Sequence, residues 1–198
     1  MRNTLNSSTN HLFIRLLSAH PSGLIHQRTS TFTIPRYSII IIHRLRRTMS
    51  TFTFSDLSWI TRDQLATLIK EQKPGLTVID VRDNDFIGGH IQQCLNVPVH
   101  THDFRMPELV RTLRDQDTVV FHCALSQQRG PGSALRYLRE RERMSEKGEV
   151  GIRKDGADLA GVQKVYVLDG GFVKWQEKYG EDPGLTEGYV KDLWASGY

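Results

Sequence analysis

The chain has 198 residues, 38% hydrophobic and 24% charged, enough apolar material for one core and too much for wholesale disorder. No stretch approaches the ~18 apolar residues of a membrane-spanning helix, and two cysteines, Cys94 and Cys123, cannot build a disulfide framework or a four-cysteine zinc site. The net charge of +4 is unevenly spread: residues 1–48 hold seven arginines and no acid, while the rest holds all 22 acidic residues, is mildly acidic and gives no general electrostatic reason to bind nucleic acid.

Residues 1–48 also carry 12 Ser or Thr, the composition of a mitochondrial presequence. Met49-Ser50 is an equally natural start, which would make the preceding stretch an over-long reading frame or an untargeted arm. On either reading residues 1–48 are predicted to be disordered and to lie outside a domain spanning 49–198. Ser55 to Ile60 reads as a lead-in. Thr61 with Gln64 forms a capping box, and Leu65, Leu68 and Ile69 make a helical stripe that ends before Pro74-Gly75. Leu76 to Arg82 is a β-branched run, predicted as a buried strand. Asn96 to Val99 is a brief extended piece. Asp103 to Arg114 has helical periodicity, and Pro107 suits a first turn, so this helix is predicted to start near Met106. Thr118 to Phe121 is a strand. Pro131 to Met144 is a helix whose Arg136, Arg139, Arg141 and Arg143 read as a solvated face. Ser145 to Gly161 reads as a surface loop, Lys164 to Leu168 as a strand, and Phe172 to Tyr179 as a helix with Phe172 and Trp175 in the core. Strands alternating with helices predict an α/β fold, a central, mostly parallel sheet with helices on both faces. In such sheets functional sites collect at the carboxyl ends of strands.

The segment after Phe121 lies at such an end and reads His122-Cys123-Ala124-Leu125-Ser126-Gln127-Gln128-Arg129-Gly130-Pro131. A cysteine leaves a strand, a short loop follows, an arginine closes it and a helix begins. A helix N-terminus favours thiolate over thiol. The successive N–H groups of Ala124, Leu125, Ser126, Gln127 and Gln128 can form a nest for a tetrahedral oxyanion. Arg129 offers a planar fork to two of its oxygens. Nucleophile, oxyanion cradle and fixed cation are what the transfer of a phosphoryl group onto sulfur requires. The bland alternative is a buried, inert Cys123 beside a solvated Arg129.

Four ordered motifs carry a family resemblance over roughly residues 55–180. They are Asp80-Val81-Arg82; Phe86-Ile87-Gly88-Gly89-His90-Ile91 with Asn96-Val97-Pro98; His122-Cys123 through Arg129; and Leu168-Asp169-Gly170-Gly171-Phe172 with Trp175. Together they resemble the rhodanese superfamily. The seven-residue loop from Cys123 to Arg129 is similar to that of its M-phase inducer phosphatases and arsenate reductases, especially small single-domain fungal and plant members, whereas sulfurtransferases usually have six. The resemblance implies a rhodanese-like fold and a cysteine-dependent phosphatase of the tyrosine or dual-specificity type, or an arsenate reductase, acting in cytoplasm and nucleus. It implies a phosphoprotein or small oxyanion as substrate. No metal or other cofactor is expected, with glutathione or glutaredoxin as reductant in the arsenate case. No nucleic-acid partner is expected.

The chain departs from that pattern in two places. Ala124 and Gln128 stand where the large M-phase inducer phosphatases have loop acids, so an in-loop general acid is missing. Val81 stands where those enzymes have a protective second cysteine. Asp80, Arg82 and His122 are expected to support the loop rather than to react, and His90 to serve a structural role. Cys94 reads as a buried small residue or, alternatively, as a thiol resolving Cys123, which proximity decides. The rival functions are thiosulfate sulfurtransferase and a non-catalytic binding module.

Overall fold

The computed structural model describes residues 52–196; the Arg-rich stretch 1–48 lies outside the described residues. A 3-10 turn at Phe54–Asp56 leads into β1 (Ser58–Ile60) and α1 (Arg62–Lys70). Then come β2 (Leu76–Asp80), β3 (His90–Ile91), β4 (Leu95–Asn96) and α2 (His102–Thr112), followed by β5 (Thr118–His122) and the long α3 (Arg129–Glu146). The chain continues through α4 (Leu159–Val162), β6 (Lys164–Leu168), α5 (Gly171–Tyr179), β7 (Thr186–Glu187) and α6 (Lys191–Ala195).

The main sheet has the order β1-β6-β5-β2-β4 with every pair parallel, and β3 and β7 form a separate antiparallel pair. Side chains along its strands alternate between two cores, as the period-2 geometry of a strand requires. Ile79, Val119, Phe121 and Val167 pack with Met106 and Val110 of α2 and with Ala134, Tyr137 and Leu138 of α3. Val78, Val120 and Leu168 point the other way, onto Leu65 of α1 and Phe172 and Trp175 of α5. The predicted arrangement, a parallel sheet covered on both faces, is the one observed.

Several boundaries differ from the sequence reading. Helix α2 begins at His102, not near Met106, and Pro107 lies inside it. The ring there removes the N–H that would have bonded to the carbonyl of Asp103, a cost offset by the burial of Met106, Leu109 and Val110 on the core face of the helix. The extended piece expected at Asn96–Val99 is shorter, since Val99–Thr101 turns into a 3-10 helix. Helix α3 starts at Arg129, not Pro131. Arg141 is buried rather than solvated and donates from Nη1 to the carbonyl and side-chain oxygens of Gln163, both at 3.2 Å. Its helical phase explains this: it lies one turn from Tyr137, Leu138 and Met144, all on the core face. The expected loop at Ser145–Gly161 contains the last residues of α3 and all but the final residue of α4, which Asp158 caps by accepting the Gly161 N–H at 3.2 Å. The pair β3–β7 and helix α6 carried no signal strong enough to predict.

Candidate active site

Strand β5 delivers Cys123 to the carboxyl end of the sheet, next to the end of β2, where the Val81 N–H still bonds to the His122 carbonyl at 2.9 Å. Cys123 is 4% exposed. The Ser126 N–H donates to its Sγ at 3.2 Å, and its own N–H donates to Ser126 Oγ at 3.4 Å. Ser126 is buried with φ of +52°, a left-handed conformation that a non-glycine residue adopts only when its surroundings hold it there. Here those two bonds do so.

Helix α5 orients the other end of the loop. The Phe172 N–H donates to the Cys123 carbonyl and the Val173 N–H to the Ala124 carbonyl, each at 2.9 Å. C=O and N–H point to opposite sides of a trans peptide. With these two carbonyls turned toward α5, the N–H groups of Ala124 and Leu125 point away from it. Among the described residues no protein acceptor meets the N–H groups of Ala124, Leu125, Gln127 or Gln128. Gln128 precedes α3 without a side-chain cap, so the open first turn of an 18-residue helix faces the same loop. Gly171, at φ of +59°, permits this approach: a Cβ there would sit 2.5 Å from the carbonyl oxygens of both Cys123 and Ala124.

Beneath the loop Asp80, Arg82 and His122 are all fully buried. Arg82 donates from Nε to both Asp80 carboxylate oxygens, at 3.1 and 2.9 Å, and from Nη2 to the Gly89 carbonyl at 2.8 Å. Its guanidinium lies over the rings of Phe172 and Phe86, 4.4 and 5.0 Å from their centroids. Arg82 thereby ties β2, the loop after it and α5 together. His122 packs with Nε2 3.6 Å from Asp80 Oδ2, and burial pushes its imidazole below the ordinary histidine range.

Arg129, the first residue of α3, is paired with carboxylates the sequence reading did not single out. Nη1 and Nη2 donate to Asp85 Oδ1 and Oδ2 at 2.7 and 2.5 Å, and Nη1 also donates to Asp83 Oδ2 at 3.3 Å. His100 Nδ1 stands 2.9 Å from Asp83 Oδ1. The signal for these partners was two acids immediately after Asp80-Val81-Arg82, but only the folded chain brings that loop to Arg129. Leu125, Gln127 and Gln128 expose their side chains at the rim.

Cys94 lies apart from the loop. Leu95 is level with Ile79 and Phe121 in the parallel ladders, so Cys94 sits three residue levels below Cys123 and two strands across, about 14 Å away by strand dimensions. That exceeds disulfide reach and removes the resolving-thiol alternative. Burial, then the Asp80 charge, push its thiol up to about 12.

Residues 61–178 match the model of the rhodanese-like domain. The chain belongs to the rhodanese-like family. Rhodanese-family relatives include the CDC25-like phosphatase YCH1 of Saccharomyces cerevisiae, 34% identical over 147 residues that cover 69% of this chain and 86% of that protein. Arsenate reductase 2.2 of Oryza sativa subsp. japonica is 32% identical over 121 residues, 61% of this chain and 82% of that one. The solved structure of Ygr203w, described as a yeast protein tyrosine phosphatase of the rhodanese family, superposes with a TM-score of 0.55 at 29% identity, covering 73% of this chain and 99% of that one.

Proposed function

We propose that this rhodanese-family chain is a cysteine-dependent phosphatase of the tyrosine or dual-specificity type whose site also serves arsenate reduction. The observation that carries the reading is the loop from Cys123 to Arg129, with a thiol at one end, a guanidinium at the other and, between them, the N–H groups of Ala124, Leu125, Gln127 and Gln128, which meet no protein acceptor among the described residues. Those N–H groups and the α3 N-terminus favour negative charge, and a tetrahedral oxyanion is the ligand they fit. The names of the relatives, phosphatase and arsenate reductase, support the same pair of reactions.

In the phosphatase reaction Cys123 Sγ attacks phosphorus, the ester P–O bond breaks, and the leaving oxygen takes a proton. Water then attacks phosphorus, the P–S bond breaks, and inorganic phosphate leaves with the sulfur restored. The N–H groups and Arg129 stabilise the equatorial oxygens throughout. In the arsenate reaction Sγ displaces an oxygen from As(V), leaving as water. Glutathione then attacks Sγ, the S–As electron pair passes to arsenic to give As(III), and a mixed disulfide is left for a glutaredoxin-type thiol to reduce. Ala124 and Gln128 supply no acid within the loop, which favours substrates with good leaving groups.

The test is the full-length protein with p-nitrophenyl phosphate, and separately with arsenate plus glutathione and glutaredoxin. Activity that disappears in Cys123→Ser supports the proposal. Absence of both activities, or their survival in Cys123→Ser, overturns it. Thiosulfate-to-cyanide transfer exceeding both would make the protein a sulfurtransferase instead.

A further inference from the structure

Arg129 has two carboxylate neighbours that its anion-binding task does not itself require, and the way they meet it is specific. Asp85 takes one hydrogen from each Nη, and Asp83 takes the second hydrogen of Nη1. This uses the outer edge of the guanidinium. The Nε–H and the remaining Nη2–H form the other edge, and among the described residues neither has a protein acceptor. The carboxylates are themselves held. The Asp83 N–H donates to Asp85 Oδ1 at 2.9 Å, and His100 donates its backbone N–H to Asp83 Oδ1 at 3.3 Å. Buried Arg82 donates from Nη1 to the carbonyls of Asp85 and Ile87 at 3.4 and 3.3 Å, fixing the loop from below.

A guanidinium is planar, so fixing one edge fixes the other. We propose that Asp85, assisted by Asp83, is a positioning residue that holds Arg129 by its outer edge and leaves the Nε/Nη2 edge to receive a tetrahedral oxyanion. The inference rests on the loop from Cys123 to Arg129 being the oxyanion site. An oxyanion on that free edge displaces neither carboxylate. Arg129 is thereby ordered before the ligand arrives, and the loss of rotamer freedom that weakens binding by a mobile arginine is avoided. The rival physical account is competition, in which the carboxylates oppose the oxyanion for the same cation. The two accounts predict opposite signs.

The experiment measures binding of inorganic tungstate, a non-reacting tetrahedral oxyanion, to the full-length protein by titration calorimetry. Asp85→Asn keeps the side-chain shape and removes the charge. Under positioning it weakens tungstate binding about tenfold, the scale of one ordered charge-assisted contact. In an Arg129→Lys background the same change has less than about a twofold effect, because the lysine ammonium has no second edge to orient. Asp83→Asn gives a smaller loss of the same sign. Binding by Asp85→Asn that equals or exceeds wild type overturns the inference, as does an equal loss in the Arg129→Lys background. Turnover is read separately. A chain that binds tungstate with this Asp85 dependence yet neither hydrolyses p-nitrophenyl phosphate nor reduces arsenate refutes the enzymatic proposal and leaves the role of Asp85 standing. An active chain whose tungstate binding ignores Asp85 does the reverse.

Discussion

Arg82 and Asp80 bury a full ion pair under the loop, with all three guanidinium nitrogens hydrogen-bonded and aromatic rings over its face. Removing one partner strands the other charge. Arg82→Ala is therefore expected to cost about 3–5 kcal/mol in urea unfolding, as breaking buried pairs does, and to lower activity by loosening the loop after β2. Cys94 offers a contrast. Its thiol, raised to about 12, stays protonated at pH 8, so iodoacetamide is expected to leave it unlabelled in the native protein and to label it after denaturation, read by mass spectrometry. The pairing of Asp80 with Arg82 was legible because a carboxylate and a guanidinium at the end of a buried strand must satisfy each other. Asp83 and Asp85 were not, because nothing local distinguishes acids that face a distant arginine from acids that face water.

Helix α5 acts on the site through its first turn, and Gly171 is where it touches. In Gly171→Ala a Cβ would lie 2.5 Å from two loop carbonyls, at a φ of +59° that disfavours any side chain. The expected result is a large loss of kcat, with destabilisation of about 1–3 kcal/mol from strain at a special φ. Helix α1 is the quieter case. Thr61 accepts the Gln64 N–H at 3.2 Å and Gln64 reaches back to the Thr61 N–H at 3.0 Å. Thr61→Ala is expected to cost about 1 kcal/mol of stability and leave turnover unchanged. The capping box was readable from two residue types at fixed spacing. The start of α2 was not, because packing of Met106, Leu109 and Val110 outweighs the helix bond lost at Pro107, and the point where the preceding 3-10 turn hands over the chain carries no local signal.

At the scale of the molecule the buried histidines His102 and His122, among the described residues, tie stability to pH. Burial pushes the imidazoles of both His102 and His122 below their ordinary range. The unfolded chain therefore binds more protons than the folded one below about pH 6.5. The contribution is whole above that pH and is lost as pH falls toward the folded-state values. The melting temperature is expected to fall between about pH 7 and pH 5, and to fall less in His102→Gln, measured by calorimetry at each pH. The sequence by itself determined the layered α/β architecture, the three long strands and the placing of Cys123 at a strand end before a helix, because hydrophobic period and turn chemistry are local. Only the tertiary structure decided which groups surround that cysteine. It set Cys94 out of reach, turned two loop carbonyls onto α5 and closed two carboxylates on Arg129. Each of these contacts joins segments far apart in the chain, and such contacts depend on how the sheet orders its strands rather than on any spacing along the sequence.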